Sequence, residues 1–226
     1  SECASRSLTL SVSPLKDSSG NCQGVTIVVD DLTETRRLQA VRDMFKRYVS
    51  PVVVDRLPTD ANELRLGGYR QEISVLFADL RGFTTFSEGL APERLVVVLN
   101  QYLSLAAQAV LAHEGTLDKF MGDAVMAVFN APLPQENHPL RAVKAAVAIR
   151  ENVERFNLAQ LGKSPILRYG IGIDVGESVV GNVGTPAQMN YTAIGDTVNV
   201  AKRLQEMATG GQILLSQETF ERVTEY

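Results

Sequence analysis

GTLDKFMGDAVMAVFN, residues 115–130, reads as two β runs, 115–121 and 124–130, meeting in a tight hairpin at Met121-Gly122-Asp123. Long helical patterns flank it, 91–113 before and 138–157 after. Outside these lie apolar strands at 72–79 and 167–175. The order strand-helix-strand-strand-helix-strand predicts a ferredoxin-like βαββαβ core of the α+β class. A strand at 189–194, a helix at 196–208 and a strand at 212–216 are additions to it. That core serves many unrelated activities, so function has to come from particular residues.

Hydrophobic residues make up 45% and charged residues 21% of the 226, with a formal charge of -4. The acidic balance argues against nucleic-acid binding, which needs a basic footprint. Cys3 and Cys22 lack metal-ligand spacing; they could pair, and a reduced, cytoplasmic chain is the expectation. The apolar run Leu95 to Leu111 is broken by Asn100, Gln101, Ser104 and Gln108, so no membrane segment is expected. Residues 1–12 alternate polar and apolar, unlike a signal peptide.

Ahead of the core, β-like runs at 7–13 and 23–30 flank a turn, Asp17 to Asn21. Two strands alone are marginal. The stretch PLKDSSGNCQGVTIVVDDLTETRRLQ resembles the C-terminal hairpin and exit of a PAS sensor domain, which would occupy 1–31. Leu38, Val41, Phe45, Tyr48 and Val52 then recur at helical spacing. They form either a coiled-coil seam or the apolar face of a helix packed on its own domain. Signalling helix and linker would cover 32–66 and a catalytic domain 67–226.

Three segments carry chemistry. In FADLRGFTTFS (77–87) an apolar strand delivers Asp79 to a glycine-containing turn, suiting a metal–phosphate site or a simple turn cap. In DKFMGDAVMAVF (118–129) Asp123 occupies the hairpin, a structural position unless Asp79 lies beside it. Two carboxylates meeting there call for bridging cations. In NYTAIGDTVNVAKRL (190–204) Asn199 and Arg203 share a helix face, a device for orienting a ribose and stabilising phosphoryl charge or an ordinary exposed pair.

Together these segments closely resemble the class III nucleotidyl cyclases over roughly residues 45–226. The resemblance implies adenylate cyclase activity, converting ATP to 3′,5′-cyclic AMP and pyrophosphate with two divalent cations, Mg²⁺ or Mn²⁺. It makes Asp79, Asp123 and the Leu80 carbonyl metal ligands. The Phe83–Thr84 backbone and Arg168 would meet the triphosphate. Asn199 would orient the ribose, and Arg203 would stabilise the transition state. Lys119 only donates and so suits adenine N1, while the Thr192 hydroxyl accepts from N6. Guanylate cyclases carry Glu at the Lys119 position. The threonine variety resembles the bicarbonate-responsive branch, which implies bicarbonate regulation. Lys119 and Asp123 should face different sites, so the resemblance implies a homodimer with two shared sites. The family continues past QETFERVTEY with a strand pair carrying a phosphate-contacting lysine, implying weak catalysis by a chain ending at Tyr226. The rivals are a guanylate cyclase and a catalytically silent nucleotide-binding module.

Overall fold

The structure is a computed structural model that describes residues 6–16, 18, 20, 22–46, 50–55, 65–160 and 166–225. Cys3, the turn residues Asp17, Ser19 and Asn21, the seam residue Tyr48 and linker residues 58–64 lie outside the described residues. The chain divides into two compact units, with Val54 closing the first and Asp55 opening the second.

In the first unit, β1 (Leu8–Lys16) and β2 (Cys22–Asp31) form an antiparallel two-stranded sheet followed by α1 (Thr33–Phe45) and α2 (Pro51–Val54). Register pairs Leu10 with Val29 and Val12 with Ile27, so one face is continuously apolar, and these side chains are exposed. The start of β1 is tied to the start of α1: the Leu32 amide donates to the Ser7 carbonyl at 2.8 Å, and the Ser7 amide to Thr33 Oγ1 at 2.9 Å. Leu38, Val41 and Phe45 of α1 are exposed.

The second unit is built on β3 (Gly67–Arg81), α3 (Phe83–Ser87), α4 (Pro92–Ala112), β4 (Thr116–Met121), β5 (Ala124–Phe129), α5 (His138–Ala159), β6 (Arg168–Thr185), β7 (Gln188–Ile194), α6 (Asp196–Met207), β8 (Ile213–Leu215) and α7 (Gln217–Val223). The strand order is β4-β5-β3-β6-β7, antiparallel throughout, with β8 added parallel to β6. Its first four strands have the order of a ferredoxin-like sheet, as expected.

Alternation along the strands makes two cores. Leu76, Ala78, Val125, Ala127, Phe129, Tyr169, Ile171 and Ile173 face α4 and α5. Ile73, Val75, Phe77, Met126, Val128 and Val180 face the side where α6 and β7 pack, meeting Ala193 and Ala201. Between α4, α5 and β6 lies a buried polar clamp: Tyr102 Oη donates to Asn157 Oδ1 at 2.7 Å, and Asn157 Nδ2 donates to the Leu167 carbonyl at 2.8 Å. Pairing these groups removes the desolvation cost each would carry alone. The glycines of β6 let α6 lie on the strand: a Cβ on Gly172 would come within 2.2 Å of the Gln205 backbone nitrogen.

Several boundaries differ from expectation. β6 continues ten residues past the expected end at Val175, because its second half pairs with both β3 and β7. β3 opens at Gly67, five residues before the strand expected from position 72. The short helices α3 and α7 were not anticipated, having too few residues to show a period. By length and composition alone α4, at 21 residues, is apolar enough to cross a membrane despite the polar residues that interrupt it. It instead lies on the sheet, with Val98, Tyr102, Ala106, Ala109 and Val110 buried.

Candidate active site

Strand register brings the first two acids together. Asp79, near the end of β3, pairs with Ala124, the residue that follows Asp123 out of the β4–β5 hairpin. Gly122 makes that hairpin with φ of 63°, a left-handed conformation that glycine adopts without strain. Burial, and then the negative charge of Asp79, push the Asp123 carboxyl above the usual aspartate range; its own backbone N–H, Lys202 and Arg81 oppose the shift. The two carboxylates are therefore electrostatic neighbours.

Their surroundings restrain Asp79. Gln205 Nε2 donates to Asp79 Oδ2 at 3.2 Å, and Lys202 Nζ donates to Gln205 Oε1 at 2.8 Å. Arg81 Nη1 lies 3.5 Å from the same carboxylate, and its Nη2 donates to the Gln205 carbonyl. Beneath them is Tyr169, whose hydroxyl is buried and lacks a hydrogen-bond partner among the described residues. Its pKa is raised by burial first and by Asp123 and Asp79 next.

Among the described residues no cluster of three or more His, Cys, Asp or Glu side chains has metal-binding geometry. Two clustered carboxylates still fit Mg²⁺ or Mn²⁺, hard ions that take one or two carboxylates and complete their shells with water, backbone carbonyls and substrate phosphates.

A second cluster forms between β4 and β7. Lys119 Nζ donates to Thr192 Oγ1 at 3.3 Å, and Thr192 Oγ1 donates to Asp118 Oδ2 at 2.8 Å. Lys119 Nζ also lies 3.4 Å from Asp118 Oδ2. Burial pushes the Asp118 carboxyl up, against the Thr192 hydrogen bond and the Lys119 charge. The charges acting on Asp123 are Asp79, Lys202 and Arg81, while Lys119 acts on Asp118.

The remaining candidates stand apart. Thr197, Ala201 and Gln205 are the buried stripe of α6. Asn199 and Arg203, each two residues further round, are exposed. Phe83 packs into the core beside Phe86, leaving its backbone rather than its ring for a ligand. Thr84 is exposed and its carbonyl accepts from Ser87 Oγ at 2.6 Å. Leu80 is buried opposite Tyr169. Arg168 opens β6 opposite Arg81 and lines a cavity of about 130 Å³ with Arg150, Glu154, Tyr169 and Gly211.

So one chain unites Asp79 with Asp123 and Lys119 with Thr192, and turns Asn199 and Arg203 outward. Sequence reading missed Asp118, Lys202, Gln205 and Arg81. Lys202 and Gln205 sit three apart in a helix already singled out, but nothing in their spacing says which face meets Asp79.

Residues 68–226 match the family described as adenylate and guanylate cyclase catalytic domain. Adenylate cyclase 1 of Rhizobium meliloti (strain 1021) is 45% identical over 140 residues, covering 62% of this chain and 21% of that protein. The terminal-differentiation-specific adenylate cyclase of Dictyostelium discoideum is 31% identical over 194 residues, 83% of this chain and 9% of that protein. The chain thus spans about a fifth or less of the length of these relatives. Among solved structures, the guanylyl cyclase Cya2 is similar with a TM-score of 0.66 and 42% identity, over 70% of this chain and 80% of that one. The adenylyl cyclase CyaB from P. aeruginosa has a TM-score of 0.67 and 37% identity, over 71% and 84%. Relatives named as adenylate cyclases and as a guanylyl cyclase are comparably similar. This chain therefore belongs to the class III adenylate and guanylate cyclases, with residues 68–226 as its nucleotidyl cyclase catalytic domain.

Proposed function

We propose that the chain is an adenylate cyclase, forming 3′,5′-cyclic AMP and pyrophosphate from ATP at two equivalent sites of a homodimer. The observation that carries this is the Lys119–Thr192 contact at 3.3 Å, which places a donor and a hydroxyl side by side before any base arrives. Adenine N1 accepts and its N6 donates, matching lysine and hydroxyl respectively; guanine presents N1–H to a side chain that can only donate. The 42% identity to the guanylyl cyclase Cya2 favours GTP as a second reading.

The shared site rests on separation. Each chain holds its acid pair and its base-reading pair in different clusters, and its Asn199 and Arg203 face outward. A two-fold pair of chains brings the acids of one protomer to Lys119, Thr192, Asn199 and Arg203 of its partner. Phe120, Ile194 and Met207, close in sequence to these residues, and Val179, paired with Ile194, are exposed apolar side chains suited to such an interface.

Asp79, Asp123 and the Leu80 carbonyl would hold two divalent cations, which supply charge neutralisation for the triphosphate and acidity for the ribose 3′-hydroxyl. Gln205 and Arg81 hold the Asp79 carboxylate in place. The Phe83 and Thr84 backbone N–H groups and Arg168 receive phosphate oxygens. Asn199 orients the ribose and Arg203 balances charge at the α-phosphoryl group. Each such preorganised contact is worth about 10²–10³ in rate. The threonine at 192 extends the proposal to bicarbonate regulation, checked by titrating bicarbonate at constant pH.

The test is incubation of the dimer with Mn²⁺ and either ATP or GTP, with the cyclic products quantified. Cyclic AMP should dominate. Mainly cyclic GMP would overturn the base assignment, and no cyclic product would restore the silent-module reading.

A further inference from the structure

A threonine hydroxyl has one proton and free lone pairs, so it can accept from adenine N6–H or donate to guanine O6. Thr192 alone is therefore an undiscriminating reader of position 6. The structure removes that freedom through its neighbour in β4. Leu117 pairs with Ala127 and Lys119 with Met126, so Asp118 is the extra residue of a β-bulge. In a regular strand adjacent side chains point to opposite faces; the bulge lets Asp118 and Lys119 both reach Thr192.

The Asp118 side chain is only 3% exposed, and its Oδ2 accepts a hydrogen bond from the Thr192 hydroxyl at 2.8 Å. An ionised carboxylate accepts and never donates. Lys119, 3.4 Å away, balances its charge. The gap beside the cluster is about 10 Å³, at the lower limit for a single water, so solvent offers Thr192 little alternative.

We infer that Asp118 is a specificity-determining positioning residue that never touches the base: by accepting the hydrogen bond of the Thr192 hydroxyl, it makes Thr192 an acceptor only and excludes the 6-oxo purine. The inference rests on the adenine-reading role of Lys119 and Thr192. With Asp118 in place, guanine O6 meets a lone pair and adenine N6–H meets a partner. Without it the hydroxyl rotates, and both purines find a match at position 6.

The experiment measures kcat/KM for ATP and GTP, with Mn²⁺, in the full chain and in Asp118→Asn, alone and combined with Thr192→Val. Asp118→Asn should lower the ATP-to-GTP ratio about tenfold or more, the worth of one reoriented hydrogen bond. In the Thr192→Val background the same change should leave the ratio where it is. If Asp118→Asn weakens both substrates in parallel at constant ratio, Asp118 is structural and the inference fails. If that variant does not fold, the unaltered enzyme decides with 6-methoxypurine riboside triphosphate, which keeps N1 as an acceptor and replaces the 6-amino donor by an acceptor oxygen. A kcat/KM at least about tenfold below that of ATP supports an acceptor-only Thr192, and equal values overturn it. Cyclic GMP as the main product of the unaltered chain sinks the underlying reading instead. Cyclic AMP with an unmoved ratio sinks this inference alone.

Discussion

At the scale of single residues, the acid pair depends on side chains that never need to meet the substrate. Gln205 is fully buried, with its amide nitrogen on Asp79 and its amide oxygen on Lys202. Gln205→Leu keeps the volume and removes both bonds. Groups that orient a metal-binding carboxylate typically matter 10- to 100-fold in affinity or activity, so half-saturating Mn²⁺ should rise by about that factor. Activity at saturating Mn²⁺ should change much less; an unchanged Mn²⁺ titration would remove Gln205 from the machinery. His138 gives a prediction of a different kind. It is buried, with Nδ1 2.7 Å from Ser74 Oγ. Burial lowers its pKa below the ordinary 6.5, outweighing the Glu72 carboxylate 3.5 Å away. A depressed folded-state pKa means full stability above 6.5 and progressive loss as pH falls through the window beneath it, because the unfolded chain takes up the proton first. The loss is at most about 1.4 kcal/mol per pH unit. Melting curves at pH 7.5 and 5.5 should therefore separate more for the native chain than for His138→Gln. Asp79, Asp123, Lys119 and Thr192 were singled out through their sequence motifs, and the structure groups them in two pairs. Asp118 was not singled out, since its role depends on a bulge that only pairing with β5 reveals.

At the scale of elements, α6 shows what strand periodicity cannot. Periodicity assigns no role to the glycines inside the strand expected at 167–175, yet Gly172 is where the helix backbone lies on the sheet. A Cβ there would meet the Gln205 nitrogen at 2.2 Å and the Ala201 carbonyl oxygen at 2.4 Å, both backbone atoms unable to swing aside. Gly172→Ala should destabilise by about 1–3 kcal/mol through overpacking. Activity should fall as well, because the displaced helix carries Gln205, Asn199 and Arg203. Gly89→Ala is the matched control: its nearest neighbour is 3.9 Å away, and its melting temperature should barely move. Equal melting shifts for the two variants would show that close packing at Gly172 is unimportant. The long helices and short strands of the core were readable because each repeats its apolar period several times. The second half of β6 was not, because its glycines imitate a loop while its backbone pairs on both sides.

At the scale of the whole molecule, the arrangement makes a quantitative claim about pairing. If each active site takes its acids from one chain and its base reader from the other, a chain with Lys119→Glu spoils only the sites where it supplies the base reader. A chain with Asp123→Ala spoils only those where it supplies the acids. Each homodimer has two damaged sites and should be nearly inactive. In the mixed dimer both lesions fall in the same site, and the other site is assembled from two native halves. Random pairing of equal amounts makes half the dimers mixed, each with one working site of two, so the mixture should recover about a quarter of native activity. Recovery should require exchange of chains, rising with incubation time and disappearing when the two homodimers are cross-linked first. A single-chain site predicts no recovery at any mixing ratio, because no rearrangement of chains repairs a lesion carried within one of them. Scored with the nucleotide that the unaltered chain prefers, the measurement thus tests which chain supplies each half of a site and not which base the site selects.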